Sequence, residues 1–70
     1  QDLKAFFSEN RLQIVGVENT SLSIFNILGE KIYNTFFTST QINVGLNPGI
    51  YLVRWDDFDY VQKVFIPSKI

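Results

Sequence analysis

The chain lacks both cysteine and histidine. Without cysteine it forms neither a disulfide nor a thiolate metal site, and its composition leaves the redox compartment open. Without histidine it lacks the usual general base, the usual metal ligand and the usual side chain that changes charge near neutral pH. Its serines and threonines therefore have no histidine to activate them. We expect no enzymatic activity, no cofactor and no metal.

Four further features are missing from the 70 residues. No apolar run approaches the roughly 20 residues of a membrane helix, and the opening QDLKAFF lacks the basic and long apolar regions of a signal peptide. Six Lys and Arg are scattered among seven Asp and Glu, for a net charge of −1, so nucleic acid is offered no basic stripe. The absence of methionine predicts a processed product or a piece of a longer protein. We expect residues 1–70 to be one domain, the C-terminal module of a larger protein.

The residues that are present predict an all-β fold. Hydrophobic residues make up 46% of the chain and aromatics 16%, which is typical of a packed domain. Short alternating apolar runs are separated by Gly, Asn, Pro and Ser, a pattern of strands and turns. The predicted strands are Leu3–Phe7, Arg11–Gly16, Ser21–Ile27, Lys31–Phe37, Gln41–Val44, Ile50–Trp55 and Tyr60–Ile66. Seven short strands predict a small antiparallel β-sandwich, with a small barrel as the alternative.

Turn residues divide the strands. In LGEK, Gly29 is free to take a positive φ, and in GLNPG, Pro48 presets φ while Gly49 supplies the permissive position. DDFD is interpreted as a hairpin tip.

In Ser21–Ile27 the apolar residues alternate and then change phase, which predicts a bulge, a strand leaving the sheet, or a strand buried on both faces.

Ile50–Trp55 has the strongest strand composition in the chain. Ile50 and Leu52 share one face, and Tyr51, Val53 and Trp55 share the other. Two apolar faces predict a central strand. One face would enter the core, and the other would lie under a loop, a neighbouring domain or a partner.

Two side-chain clusters have both a structural and a functional interpretation. The three aspartates of DDFD could bind Ca²⁺, but their spacing matches no strong motif, and a soluble hairpin tip is favoured. The aromatic residues Tyr51, Trp55, Phe58 and Tyr60 could stack on a sugar. Packing is favoured because a small core needs large side chains.

The order of the motifs resembles one known family. LSIFNILGEKIYN followed by INVGLNPGIYLVRWDDFDYVQKVFI resembles the type A C-terminal sorting domain of the type IX secretion system of Bacteroidetes. The matching residues are Gly29, Lys31, Ile32, Leu46, Gly49, Ile50, Tyr51, Val53, Arg54, Lys63, Val64 and Ile66. Where the family has a Tyr-Pro-Asn-Pro box, this chain has AFFSEN.

The resemblance implies an immunoglobulin-like sandwich that acts as a ligand and not as a catalyst. Such a domain follows a cargo protein and crosses the periplasm with it. It is recognised by the outer-membrane translocon, and a sortase then anchors the cargo at the cell surface. The structural motif would comprise Gly29, Pro48, Gly49 and Tyr51.

Recognition is expected to use the final hairpin, Trp55 to Ile66. Lys63 and Lys69 would orient the partner, while Tyr60, Val64 and Ile66 would contribute apolar contact. The lysines could instead protect an edge strand from aggregation. Two alternatives stay open: a generic immunoglobulin-like accessory module that is a spacer or binds glycan, and a homodimer formed through an exposed edge or aromatic patch.

Overall fold

A computed structural model describes residues 3–67 and places seven strands there. The strands are β1 (Lys4–Ser8), β2 (Arg11–Val15), β3 (Thr20–Phe25), β4 (Lys31–Phe37), β5 (Gln41–Ile42), β6 (Gly49–Trp55) and β7 (Tyr60–Ile66). Between residues 3 and 67 there is no helix, and hence none long and apolar enough to cross a membrane. The all-β prediction is confirmed.

The strands form two antiparallel sheets. One sheet has three strands in the order β1-β2-β5, and the other has four in the order β4-β3-β6-β7. Two separate sheets match the predicted sandwich and not the alternative barrel. Strand β6 lies between β3 and β7, as its two apolar faces predict, and β3–β4 and β6–β7 are the predicted hairpins.

The core lies between the sheets because alternate residues of each strand point inward. Leu12 and Ile14 of β2 face Leu22 and Ile24 of β3 across it, and all four are buried. Trp55 of β6 is 0% exposed and is the largest fully buried side chain. The other buried members of the core cluster are Ala5, Phe37, Ile42, Val44, Val53 and Val64.

Strand β3 ends at Phe25, two residues before the predicted end at Ile27. Asn26 causes this, because its Oδ1 accepts hydrogen bonds from the backbone N–H groups of Leu28 (2.9 Å) and Glu30 (3.0 Å). An Asn side chain that bonds to the following backbone replaces a strand ladder with a turn. The register with β4 shifts between Ile24 and Phe25, which agrees with the bulge, one of the three predicted alternatives. Gly29 in this turn has a φ of 89°.

A single glutamine joins the two sheets where β1 approaches β7. The side-chain Oε1 of Gln62 accepts a hydrogen bond from the Ala5 N–H at 3.0 Å, and its Nε2 donates to the Ala5 carbonyl at 2.6 Å. The amide therefore pairs with the edge of β1 as a backbone peptide would. This contact occupies backbone groups that an exposed edge strand would offer to another chain.

Candidate recognition surface

The outer face of the four-stranded sheet consists of the side chains that alternate with the core residues. One row crosses all four strands, because Phe25 pairs with Lys31 and with Leu52, and Leu52 pairs with Lys63. Neighbouring strands are about 4.8 Å apart, so the backbones at the two ends of this row are separated by about 14 Å. The row thus begins and ends with a lysine and is apolar between them.

Apolar side chains continue from this row to one end of the face. Ile50 pairs with Phe65 on the side where β3 turns into β4, and that turn carries Ile27 and Leu28. Their exposed fractions are 64% for Phe65, 74% for Ile27 and 81% for Leu28. We call this region the apolar end; it consists of Phe25, Ile27, Leu28, Ile50, Leu52 and Phe65.

The opposite end of the face is a hydrogen-bonded network around Asp56. The Asp56 carboxylate accepts hydrogen bonds from the hydroxyls of Ser21 (2.7 Å) and Ser23 (2.9 Å), and from Asn34 Nδ2 at 3.3 Å. Arg54 Nη1 lies 3.1 Å from the same carboxylate. Ser23 is fully buried beneath this network. We call these five residues the polar end.

The network sets the ionisation of Asp56. Partial burial raises its pKa, but the hydrogen bonds from Ser21 and Ser23 and the charge of Arg54 outweigh that effect and hold the pKa below its ordinary value of 3.8. The hydrogen bond to Asp59 raises the pKa of Arg54 above its ordinary range, with a further contribution from Asp56. The polar end therefore contains an ion pair whose charges are already compensated.

The three aspartates of the β6–β7 turn serve this packing and do not form a metal site. Asp57 accepts a hydrogen bond from the buried Thr20 hydroxyl at 2.6 Å. Asp59 accepts one from Arg54 at 2.9 Å. Within residues 3–67, no group of three or more acidic, His or Cys side chains could hold a metal ion. The interpretation as a hairpin tip therefore fits the geometry.

The aromatic residues do not form a platform for stacking on sugar. Trp55 is fully buried, with its ring centroid 5.4 Å from that of the partly exposed Tyr60. Tyr51 packs partly buried against the core and donates its hydroxyl hydrogen to the Asn47 carbonyl at 2.6 Å. Among the four candidates, only Phe58 and Tyr60 have side chains with large exposed fractions, 40% and 44%.

Three of the four residues of the predicted structural motif lie at or just before the start of β6, and the fourth, Gly29, lies in the β3–β4 turn. Gly49 has a φ of 151° and pairs with Ile66, while the Tyr51 hydroxyl fastens the preceding loop through Asn47. Pro48 lies in that loop and is exposed.

The structure separates the predicted partner-binding residues. Lys63 is exposed on the outer face and Tyr60 is partly exposed at the hairpin tip. Val64 and Ile66 are each 4% exposed, with their side chains in the interior, so they have no surface with which to touch a partner. This corrects the expectation that they contact a partner. Alternate residues of a strand share a face, and Val64 and Ile66 both lie on the inner face of β7. Lys69 lies outside the described residues.

Sequence reasoning missed the exposed apolar residues of the same strand. Because alternate residues of β7 share a face, the burial of Val64 and Ile66 places Lys63 and Phe65 together on the outer face. The alternation in YVQKVFI was the signal that could have identified Phe65. The turn residues Ile27 and Leu28 were assigned to a strand end or a turn, and no periodicity marked them as a surface.

Comparison with known proteins identifies the family. The family model of the secretion system C-terminal sorting domain matches residues 8–67. The chain belongs to this family. Neither the comparison with curated proteins nor that with solved structures found a match. Membership indicates a sorting signal for type IX secretion, and hence attachment to a cargo protein, interaction with the secretion machinery and export across the outer membrane. The family is not an enzyme family.

Proposed function

We propose that this sorting domain directs export of a cargo protein attached at its N-terminal side through the type IX translocon. We further propose that a sortase then anchors the cargo at the cell surface. The family match over residues 8–67 carries this proposal, because it covers the strands β2 to β7 in full. The domain acts as the C-terminal module of a larger protein, and it works as a ligand without catalysing a reaction.

The fold supplies a physical basis for recognition of the folded domain. A sandwich with a fully buried tryptophan and two joined sheets presents its outer faces in a fixed arrangement. Preorganised surfaces bind with a smaller loss of conformational entropy than flexible tails. Of the partner-binding residues predicted within the final hairpin, Lys63 and Tyr60 are the ones whose side chains are exposed. We include Lys69 in the proposal from its position in the sequence.

A reporter fusion tests the proposed function. A periplasm-directed fluorescent protein is fused to the N-terminal side of this chain and expressed in a type IX-proficient bacterium and in a strain with a disabled translocon. We expect surface-exposed reporter, measured by protease accessibility of intact cells, only in the proficient strain. A reporter that stays in the periplasm of the proficient strain would contradict the proposal.

A paired substitution tests the lysines. Lys63→Ala with Lys69→Ala removes the two proposed orienting charges, and we expect slower export because fewer charges guide the encounter. The matched control is Lys4→Ala with Arg11→Ala, which removes two exposed charges from the three-stranded sheet. Equal export by the two double variants would contradict a specific role of the lysines.

A further inference from the structure

We propose that the apolar end of the outer face docks an apolar segment of a protein partner whose carboxylates pair with Lys31 and Lys63. This inference rests on the proposed function, because the partner is taken to be a component of the secretion machinery. It adds the surface that is used and the chemistry of the segment that covers it.

The first argument is the exposure of apolar side chains at one place. Ile27, Leu28 and Phe65 are more than half exposed and lie with Ile50 at the same end of the sheet. Isolated exposed apolar residues are ordinary, whereas several that lie together at one place mark an interaction site. No described segment of the chain covers these residues, although the composition of β6 predicts a covered face.

The second argument is charge. Between residues 3 and 67, neither Lys31 nor Lys63 has a carboxylate within 4 Å. Lys31 Nζ lies 6.0 Å from the centroid of the Phe25 ring, which keeps it beside the apolar row. Asp56, which lies at the other end of the same face, is occupied by Arg54 and its hydroxyl donors. The row therefore complements an apolar segment with acidic groups about 14 Å apart, three strand spacings.

The same charges disfavour two other occupants. The first is a second copy of this chain. If two copies paired with two-fold symmetry and their rows aligned, each lysine of one copy would face a lysine of the other, and like charges in contact are unfavourable. An anionic lipid surface laid over the whole face would meet Asp56 and Asp59 at the other end. The Asp59 side chain is 86% exposed, so repulsion there opposes attraction at the lysines.

The decisive variant is Phe65→Ser, and the chain offers a closely matched control. Phe36 is 62% exposed on the outer face, beside the polar end, and Phe65 is 64% exposed. Either change to serine removes a similar exposed ring. We expect Phe65→Ser to reduce export of the reporter fusion about tenfold, which corresponds to a lost aromatic contact of about 1.4 kcal/mol. Phe36→Ser should stay within about twofold of the wild type, because it removes no patch contact.

Charge reversal tests complementarity. Lys31→Glu with Lys63→Glu should reduce export more than the reversal of Lys4 and Arg11 on the other sheet. We expect a compensating change of an acidic residue to lysine in a machinery component to restore export. Urea unfolding of each 70-residue variant, followed by Trp55 fluorescence, verifies that the fold is retained. A variant that has unfolded is replaced by Phe65→Gln or by a single lysine reversal.

The outcomes separate the inference from the proposed function. A wild-type fusion that is not exported overturns the proposed function and this inference together. An exported wild type with equally exported Phe65→Ser and charge-reversed variants overturns the inference alone. Two other results also overturn the proposed occupant. They are binding of the 70-residue chain to phosphatidylglycerol vesicles and its concentration-dependent dimerisation, in either case if Phe65→Ser abolishes the behaviour. Loss of export in Phe65→Ser without either behaviour in the wild type supports it.

Discussion

Replacing Asp56 with alanine should destabilise the domain strongly, because one carboxylate holds the polar end together. It accepts short hydrogen bonds from Ser21, Ser23 and Arg54. Each contributes about 1 kcal/mol net, so the expected loss is about 3 kcal/mol. Part of this cost arises because the fully buried Ser23 hydroxyl loses its acceptor. For a domain of this size, such a loss lowers Tm by roughly 12–24 °C.

The measurement is urea unfolding of the 70-residue chain at pH 7. Trp55 is the sole tryptophan and is fully buried, so its fluorescence reports unfolding directly. The control is Asp59→Asn, which loses one ion-pair partner at an exposed site and should cost less than about 1 kcal/mol. Equal free energies of unfolding for Asp56→Ala and Asp59→Asn would refute the role assigned to the network.

The lowered pKa of Asp56 adds a pH dependence to the same comparison. Because its pKa in the folded state lies below the ordinary 3.8, its contribution is complete above the unfolded-state value. The contribution is lost as pH falls through the lowered folded-state pKa. The stability difference between the wild type and Asp56→Asn should therefore shrink as pH falls below about 3.8. A difference that stays constant from pH 7 to pH 2 would contradict this assignment.

Other perturbations test the remaining contacts. Gln62→Ala should cost about 1–3 kcal/mol in the free energy of unfolding, since it removes two hydrogen bonds to Ala5; unchanged stability and unchanged hydrogen exchange at the Ala5 amide would contradict the bridge. Gly29→Ala should cost about 1 kcal/mol in a urea titration because Gly29 has a φ of 89°. The effect comes from the backbone alone, because no atom beyond the neighbouring residues lies within 4 Å of an added Cβ. Gly29→Asn should cost less, and equal losses would contradict the conformational explanation.

The sequence predicted the strands well because the apolar alternation is local. β4 and β7 have the predicted bounds, and the glycine turn has the expected positive φ. The end of β3 was less predictable, since it depends on a side-chain hydrogen bond of Asn26 that competes with the strand ladder. β5 has two residues, although the four-residue run Gln41–Val44 was predicted as a strand. Val44 is buried beyond its end, so burial continues where pairing stops.

The surface was harder to predict because it depends on contacts between distant strands. Asp56 meets Ser23 across 33 positions of the chain, and Gln62 meets Ala5 across 57. Neither pair carries a local sequence signal. By contrast, the separation of Phe65 from Val64 follows from alternation within one strand, which the prediction did not apply when it assigned Val64 and Ile66 to the recognition surface. The family match identifies the family of the chain, while the strand register identifies the side chains on its outer face.

The central claim is that the secretion machinery binds the folded domain as a ligand, so that copies of the domain compete for the machinery. Its most direct measurement is competition in a type IX-proficient cell, where the free 70-residue chain is directed to the periplasm beside a reporter fused to the same chain. We expect surface display of the reporter to fall as the free chain accumulates, with no fall for the Phe65→Ser chain. Reporter display that is unaffected by excess free wild-type chain would contradict the claim.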